Sequence, residues 1–342
     1  MRAHGTSLRT YLLTRLGLAI PTVLILLTMV FLLMRVAPGD PIQAALGGHV
    51  SQQEIEKRRH AAGYDRPILT QYVEYLGDAV TLNLGTTLTD HRSTTSIIVD
   101  NGSATLELTI FAFAIAVAVG VGIGLVAGRY RDTWMDTGGR MFGIFVYAAP
   151  VFFTGFLLQL LFGSALGWLP TSGQASPITE FELNKTTHLY LVDAIISGNW
   201  IALGDVIQHL ILPSVTLGLL VSGVLIRLVR VNLLQTMRGD YVEAARARGI
   251  SERRVVLQHA FRNALVPVVT IAGLQFAILL GGAILTEETF NWPGIGSELV
   301  RYLNNRDYIA VQGIITVFAL AVVVVSLLID LVNAFVDPRV RY

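Results

Sequence analysis

Six stretches of this chain, residues 16–34, 105–127, 142–166, 210–228, 265–285 and 313–335, are long and apolar enough to cross a lipid bilayer. A hydrocarbon core of ~30 Å takes about 20 apolar residues per helical crossing. Lipid offers no hydrogen-bond partners to an open backbone, so each crossing has to be a helix, and nothing in the chain alternates like the strands of a membrane barrel. The pattern predicts an all-α integral membrane protein with six transmembrane helices. Charged residues agree, at 14% of the chain against about 25% in an ordinary soluble domain. The first apolar run follows Arg2, Arg9 and Arg15 as a signal peptide would, but it is too long and no small-residue cleavage site follows before Arg35. It reads as an uncleaved span. Cys is absent, which excludes disulfides, thiol chemistry and Cys-held metal.

Orientation follows from where the cations sit. Most of the 25 Lys and Arg fall on one side of the crossings: Arg2, Arg9 and Arg15, then Arg129, Arg131 and Arg140, then a cluster from Arg227 to Arg262, then Arg339 and Arg341. Most of the remainder lie in one long loop, where the positive-inside bias has little force. Both termini are therefore expected in the cytoplasm. The chain divides into a tail and first span over 1–34, an extracytoplasmic segment over 35–101, and a core of five spans over 102–342. The core carries an outer loop at 167–205 and a cytoplasmic loop at 236–263. Segment 35–101 is polar and broken by Pro38, Pro41 and Pro67, with a helical stretch near 51–62 whose Ser51 and Glu54 match a capping box. A small folded outer domain is expected there. Loop 167–205 opens on Trp168, which suits a membrane interface, and its length points to a docking role. Near Asn291, the run Asn-Trp-Pro-Gly-Ile-Gly signals a turn whose Trp292 also suits the interface.

Within the spans, Gly120, Gly124 and Gly128 recur every fourth residue and so line one helix face, the pattern of close helix contact. Pro21, Pro150, Pro213 and Pro267 are candidate kinks. Glu107 and Asp330 lie near span ends, where either can be hydrated or paired. No ladder of buried acids is present, which weighs against a proton- or sodium-coupled carrier.

The cytoplasmic loop is the most informative segment. Asp240 can cap a helix that continues to Arg248 and stops at Gly249, a residue suited to a left-handed turn. Ser251 can cap a second helix, with Glu252 at its amino end and Val255, Val256 and Leu257 as its apolar residues. Tyr241, Ala244, Ala245 and Arg248 share a face by their spacing. Small alanines there allow another protein to approach, and Glu243, Arg246 and Arg248 can fix its register by charge. An Arg-rich amphipathic helix lying on anionic lipid fits the same spacing, which leaves both readings open.

A resemblance separates them. Glu243-Ala244-Ala245, Gly249, His259, Arg262-Asn263-Ala264-Leu265 and Pro267 together resemble the EAA loop of permease subunits in bacterial binding-protein-dependent ABC importers. Arg35-Val36-Ala37-Pro38-Gly39-Asp40-Pro41, Thr105-Leu106-Glu107-Leu108, Gly167-Trp168-Leu169-Pro170 and the ending Asp337-Pro338-Arg339-Val340-Arg341-Tyr342 resemble the first (B-type) permease of the dipeptide and oligopeptide branch. The outer loop over 176–200 departs from the pattern by its length. The resemblance implies the type I ABC importer permease fold in the bacterial inner membrane. It also implies a coupling surface made of Tyr241, Glu243, Ala244, Ala245, Arg246, Arg248, Gly249, His259, Arg262 and Asn263. The implied partners are a second homologous permease, two ATPase domains that bind ATP and Mg, an external peptide-binding protein and membrane lipid, with no role for nucleic acid. Di- and oligopeptides are the default cargo, with haem, nickel complexes and glutathione as alternatives carried by the same machinery.

The chain itself contains no G-x-x-x-x-G-K-[ST] phosphate loop, so no ATPase site of that kind is expected in it and the energy has to come from a partner. No cofactor, metal site or catalytic residue is expected either. Rival readings are a stand-alone channel or secondary carrier, which would need no coupling helix, an intramembrane hydrolase, and a membrane-anchored scaffold. The hydrolase reading suffers because the seven His lie in tails, loops or span ends, and no G-x-S-x-G elbow occurs.

Overall fold

The computed structural model describes residues 8–36, 43, 51–61 and 63–336. The Pro38 to Pro41 turn, the Glu54 side chain of the expected capping box and the closing segment from Asp337 lie outside the described residues. In chain order the helices are α1 (Leu8–Val36), α2 (Gln52–Ala61), α3 (Ile68–Thr81), α4 (Thr94–Arg129), α5 (Trp134–Ala148), α6 (Val151–Leu158), α7 (Pro177–Glu182), α8 (Tyr190–Ile196), α9 (Trp200–Thr236) and α10 (Asp240–Ala247). Glu252–Arg254, a π-helical stretch Val255–Ala260 and Phe261–Gly282 form one run, α11, followed by α12 (Ile284–Phe290), α13 (Ile295–Asn304) and α14 (Tyr308–Val336). Among the described residues the only strand-like pairing is an isolated bridge between Thr86 and Ser93.

Five single helices, α1, α4, α9, α11 and α14, can each cross a membrane. The third expected span is different: α5 and the run from Val151 to Ala165 meet at 103°. Ala149 (ψ 131°) and Pro150 (ψ 131°) both leave the helical region, and Pro150 has no amide hydrogen with which to restore the ladder. Pro21, Pro213 and Pro267 sit inside continuous helices, so Pro150 alone breaks its span.

The core is built on α4 against α9. A Cβ added at Gly120 would lie 2.5 Å from Cβ of Leu225, and one at Gly124 would lie 2.7 Å from Cβ of Val229. At Gly128 the nearest atom would be Cδ2 of Leu233, at 2.8 Å. The fourfold spacing read in the sequence is thus a packing seam between two backbones, and dispersion across it takes over where lipid supplies no hydrophobic drive.

The two acids at the ends of apolar runs both have partners. Arg15 of α1 meets Asp330 of α14 at 3.4 Å. The buried Glu107 carboxylate accepts the side-chain amide of Gln174 and the backbone N–H of Leu191, both at 2.8 Å, and so fastens the 167–205 loop onto α4. Trp292 is not interfacial. It is 1% exposed, and its indole N–H donates to the Ala104 carbonyl at 3.0 Å, so the turn between α12 and α13 is pegged into α4. A buried indole needs an acceptor for its single donor, and the α4 backbone provides one.

The segment before α4 is latched to α13 and α14. Asp307 accepts the backbone N–H groups of Leu88 and Thr89 at 2.6 and 2.9 Å, and Tyr75 shares a 2.7 Å hydrogen bond with Thr316. Asp90 receives the Tyr302 hydroxyl at 3.0 Å and pairs with Arg301 at 3.1 Å. The boundary expected at 101/102 falls inside α4, which rises unbroken from Thr94.

Candidate functional site

The loop between α9 and α11 forms a short helix seated on the ends of two spans. α10 starts one residue earlier than expected: Gly239 (φ −77°, ψ 143°) is the N-cap, and Asp240 lies in the first turn. The carboxylates of Asp240 and Glu243 there complement the positive helix end. A Cβ at Gly239 would stand 2.5 Å from the Tyr241 ring, which is why a glycine holds that place. The helix stops by a Schellman turn: Gly249 N–H donates to the Arg246 carbonyl at 2.9 Å, Ile250 N–H reaches the Ala245 carbonyl at 3.3 Å, and Gly249 adopts φ +72°. The second helix is no separate piece. It is the first part of α11, with Ser251 at its N-cap position but no capping bond from the hydroxyl.

What seats α10 is an apolar cluster of Leu233, Val242, Ala245, Val255, Val256 and Ala260, with Ile250 packed against it. The sequence spacing placed Ala245 beside Ala244 on an outward face. The structure separates them: Ala245 is 5% exposed and turned into this cluster, while Ala244 is exposed. Val242, fully buried, is the anchor that spacing analysis passed over, although its i, i+3 relation to Ala245 carries the signal. Tyr241, Glu243, Ala244 and Arg248 remain on the surface, and the Tyr241 hydroxyl donates to the Thr236 carbonyl at 3.1 Å.

Arg246 faces its own chain. Its guanidinium grips Glu252 through Nε at 3.1 Å and Nη2 at 2.7 Å, a fork that ties α10 to the start of α11. The Glu252 carboxylate raises the already high pKa of Arg246, so the pair stays charged. His259 is half-buried in the π-helical stretch, Arg262 and Asn263 are exposed on the next turn, and the Asn263 side-chain amide donates to the His259 carbonyl at 3.1 Å. The ten expected residues therefore divide. Tyr241, Glu243, Ala244, Arg248, Arg262 and Asn263 are open to a partner, whereas Ala245, Arg246, Gly249 and His259 shape the element that carries them.

A second ionic clamp stiffens the same side of the membrane. Asp136, 0% exposed, is held by Arg230 of α9 through Nε at 2.6 Å and Nη2 at 2.8 Å, and it accepts the Asp132 backbone N–H at 3.0 Å. Nothing in linear spacing joins residues so far apart in sequence.

These features define a class: a polytopic helical membrane protein whose spans share a seam and end in a small, rigidly mounted helix. The chain belongs to the family of binding-protein-dependent transport system inner membrane components, whose model matches residues 120–342, while the model of the family's N-terminal part matches residues 8–109. It is 37% identical over 97% of its length to the di/tripeptide transport system permease protein DppB of Pseudomonas aeruginosa, covering 99% of that protein. It is 37% identical to the dipeptide permease DppB of Alkalihalophilus pseudofirmus and 36% to the glutathione transport system permease GsiC of Escherichia coli K12, again over 97% of this chain and 99% of each relative.

Proposed function

We propose that this chain is one of two homologous permeases forming the pathway of an ATP-driven importer for short peptides, with both termini in the cytoplasm. α10 is the coupling helix. It enters a groove of a separate ATPase subunit with Tyr241, Glu243, Ala244 and Arg248 at the contact and Arg262 and Asn263 beside it. The ATPases bind ATP and Mg, and an external binding protein delivers peptide to the outer segment before α4 and to the 167–205 loop. There Ile178 (71% exposed) and Phe181 (93% exposed) stand free in the single chain.

The observation that carries this reading is the mounting of α10. A helix of eight residues is too short to persist alone in water, yet buried Val242 and Ala245, the Schellman turn and the Arg246–Glu252 fork fix it to the inner ends of α9 and α11. Force applied to its outer face passes directly into two spans.

Reconstitution tests the proposal. Vesicles holding the permease pair and ATPases, with the binding protein outside, should accumulate labelled dipeptide only with ATP inside, and this chain alone should not. Glu243→Arg should reduce recovery of the ATPase on the purified permease. ATP-independent uptake by the lone chain, or undiminished ATPase recovery with Glu243→Arg, overturns the reading. Excess glutathione in the same assay separates the peptide cargo from the cargo named for the 36% identical relative.

A further inference from the structure

α5 and α9 touch at the backbone, since a Cβ on Gly223 would lie 2.6 Å from the Gly143 carbonyl oxygen. Beside that contact a cavity of about 530 Å³ opens between the two helices. Its ends differ in chemistry. Arg140, Arg227 and Arg230 line one end, and Ile144, Tyr147 and Val224 line the other. The helices run antiparallel, so the basic end lies toward the start of α5 and the apolar end lies about 10 Å farther along it, at ~1.5 Å per residue. Trp134 at the start of α5 is 80% exposed, and an exposed indole marks a membrane surface. The groove is thus basic at the membrane face and apolar toward the membrane interior.

The charges do not cancel. Among the described residues Asp136 is the one acid in ionic contact with these arginines, pairing with Arg230 at 2.6 Å and with Arg140 at 3.4 Å. Arg140 and Arg230 therefore share one carboxylate, and Arg227, which is exposed, is outside that pairing, so the groove holds three guanidinium groups against a single acid. Excess positive charge at the level of the headgroups, continued by an apolar trough into the hydrocarbon region, matches a single amphiphile with an anionic head.

We propose that this groove binds the phosphate of an anionic phospholipid, with an acyl chain laid along Ile144, Tyr147 and Val224. The guanidinium groups meet phosphate oxygens as charge-assisted donors. The site holds the α5–α9 contact at the membrane surface whatever solute the assembly carries, so its test is independent of the transport reading.

The assembled complex, stripped of lipid in detergent, is titrated with phosphatidylglycerol or phosphatidylcholine, and retained lipid is read by native mass spectrometry. Phosphatidylglycerol should be retained over phosphatidylcholine. Arg227→Gln and Arg140→Gln, each measured separately, should lower its retention about fivefold, the effect of one cation near a lipid surface. Ile144→Trp, which fills the apolar end, should lower it as well. Arg131→Gln, on the same membrane face outside the groove, should leave it unchanged. Inorganic phosphate in excess should not displace the lipid, because it has no chain to bury. Equal retention of the two lipids, unchanged retention in both groove Arg variants, or displacement by phosphate overturns the assignment.

Discussion

Replacing Gly249 with Val isolates the turn that ends α10, the helix proposed to couple to the ATPase. Gly249 sits at φ +72°, and nothing lies within 4 Å of where its Cβ would be, so the substitution meets no side chain. The whole cost is then backbone strain. An L-residue in the left-handed region costs about 1–2 kcal/mol, with Asn least affected and a β-branched side chain at the upper end. For Val, about 2 kcal/mol corresponds to roughly a thirtyfold shift toward conformations in which the Gly249 and Ile250 N–H groups leave their acceptors on α10. Amide exchange over 240–247 in the assembled complex reads that opening directly. Exchange should rise in the order Gly, Asn, Ala, Val, and ATP-driven uptake should fall in the same order while membrane insertion stays constant. If Val matched the wild type, or if Asn did as much harm as Val, the left-handed turn would not be what mounts the helix.

Other expectations rest on separate contacts. Gly124→Leu would force a side chain into Val229 at a seam where even Cβ lies 2.7 Å away, and overpacking of this kind costs about 1–3 kcal/mol. Its thermal melting midpoint in detergent should drop, whereas Gly122→Leu, with nothing within 4 Å of its Cβ, should melt like the wild type. Asp136→Ala leaves Arg230 without its fork and should cost about 2 kcal/mol, at the low end for a truncated charge pair because Arg230 keeps some contact with water. Denaturant unfolding checks this, and Asp136→Glu should recover part of the loss.

The Asp90–Tyr302 latch gives a pH dependence. Burial works against the Asp90 charge, but hydrogen bonds from Thr87, Tyr302 and Arg301 outweigh it and hold the carboxyl below its ordinary value. Its contribution is present above about pH 4 and is lost as pH falls through that lowered value. Burial, aided by the Asp90 carboxylate, pushes Tyr302 up to about 12. That contribution is present below about pH 10 and is lost as pH rises through about 12. The melting-point difference between wild type and Asp90→Asn should accordingly shrink on acidification below about pH 4. A difference that stays constant down to about pH 2 would contradict the latch.

Apolar run length exposes most of this architecture in the sequence, because the bilayer imposes one crossing length and one backbone solution on every span. The glycine seam was legible for a related reason: a helix repeats its face every three to four residues, so Gly120, Gly124 and Gly128 declare a contact before its partner is known. The α10 segment carried its own stop in Gly249. Periodicity misplaced Ala245, since two faces of a short helix differ by one step, and only the apolar pocket offered by Leu233, Val255 and Val256 decides which alanine turns inward.

The sequence by itself determined six apolar stretches, the glycine seam between two of them and the short helix after α9 with its glycine stop, all set by interactions near in the chain or by the surrounding lipid. Tertiary structure decided that the third apolar stretch bends at Pro150, that Trp292 is a buried peg, that Arg246 binds Glu252, and that Asp136 meets Arg230 across the fold. Those outcomes depend on which surfaces and charges converge in space, and a residue's partner many turns away leaves no periodic trace in the sequence around it.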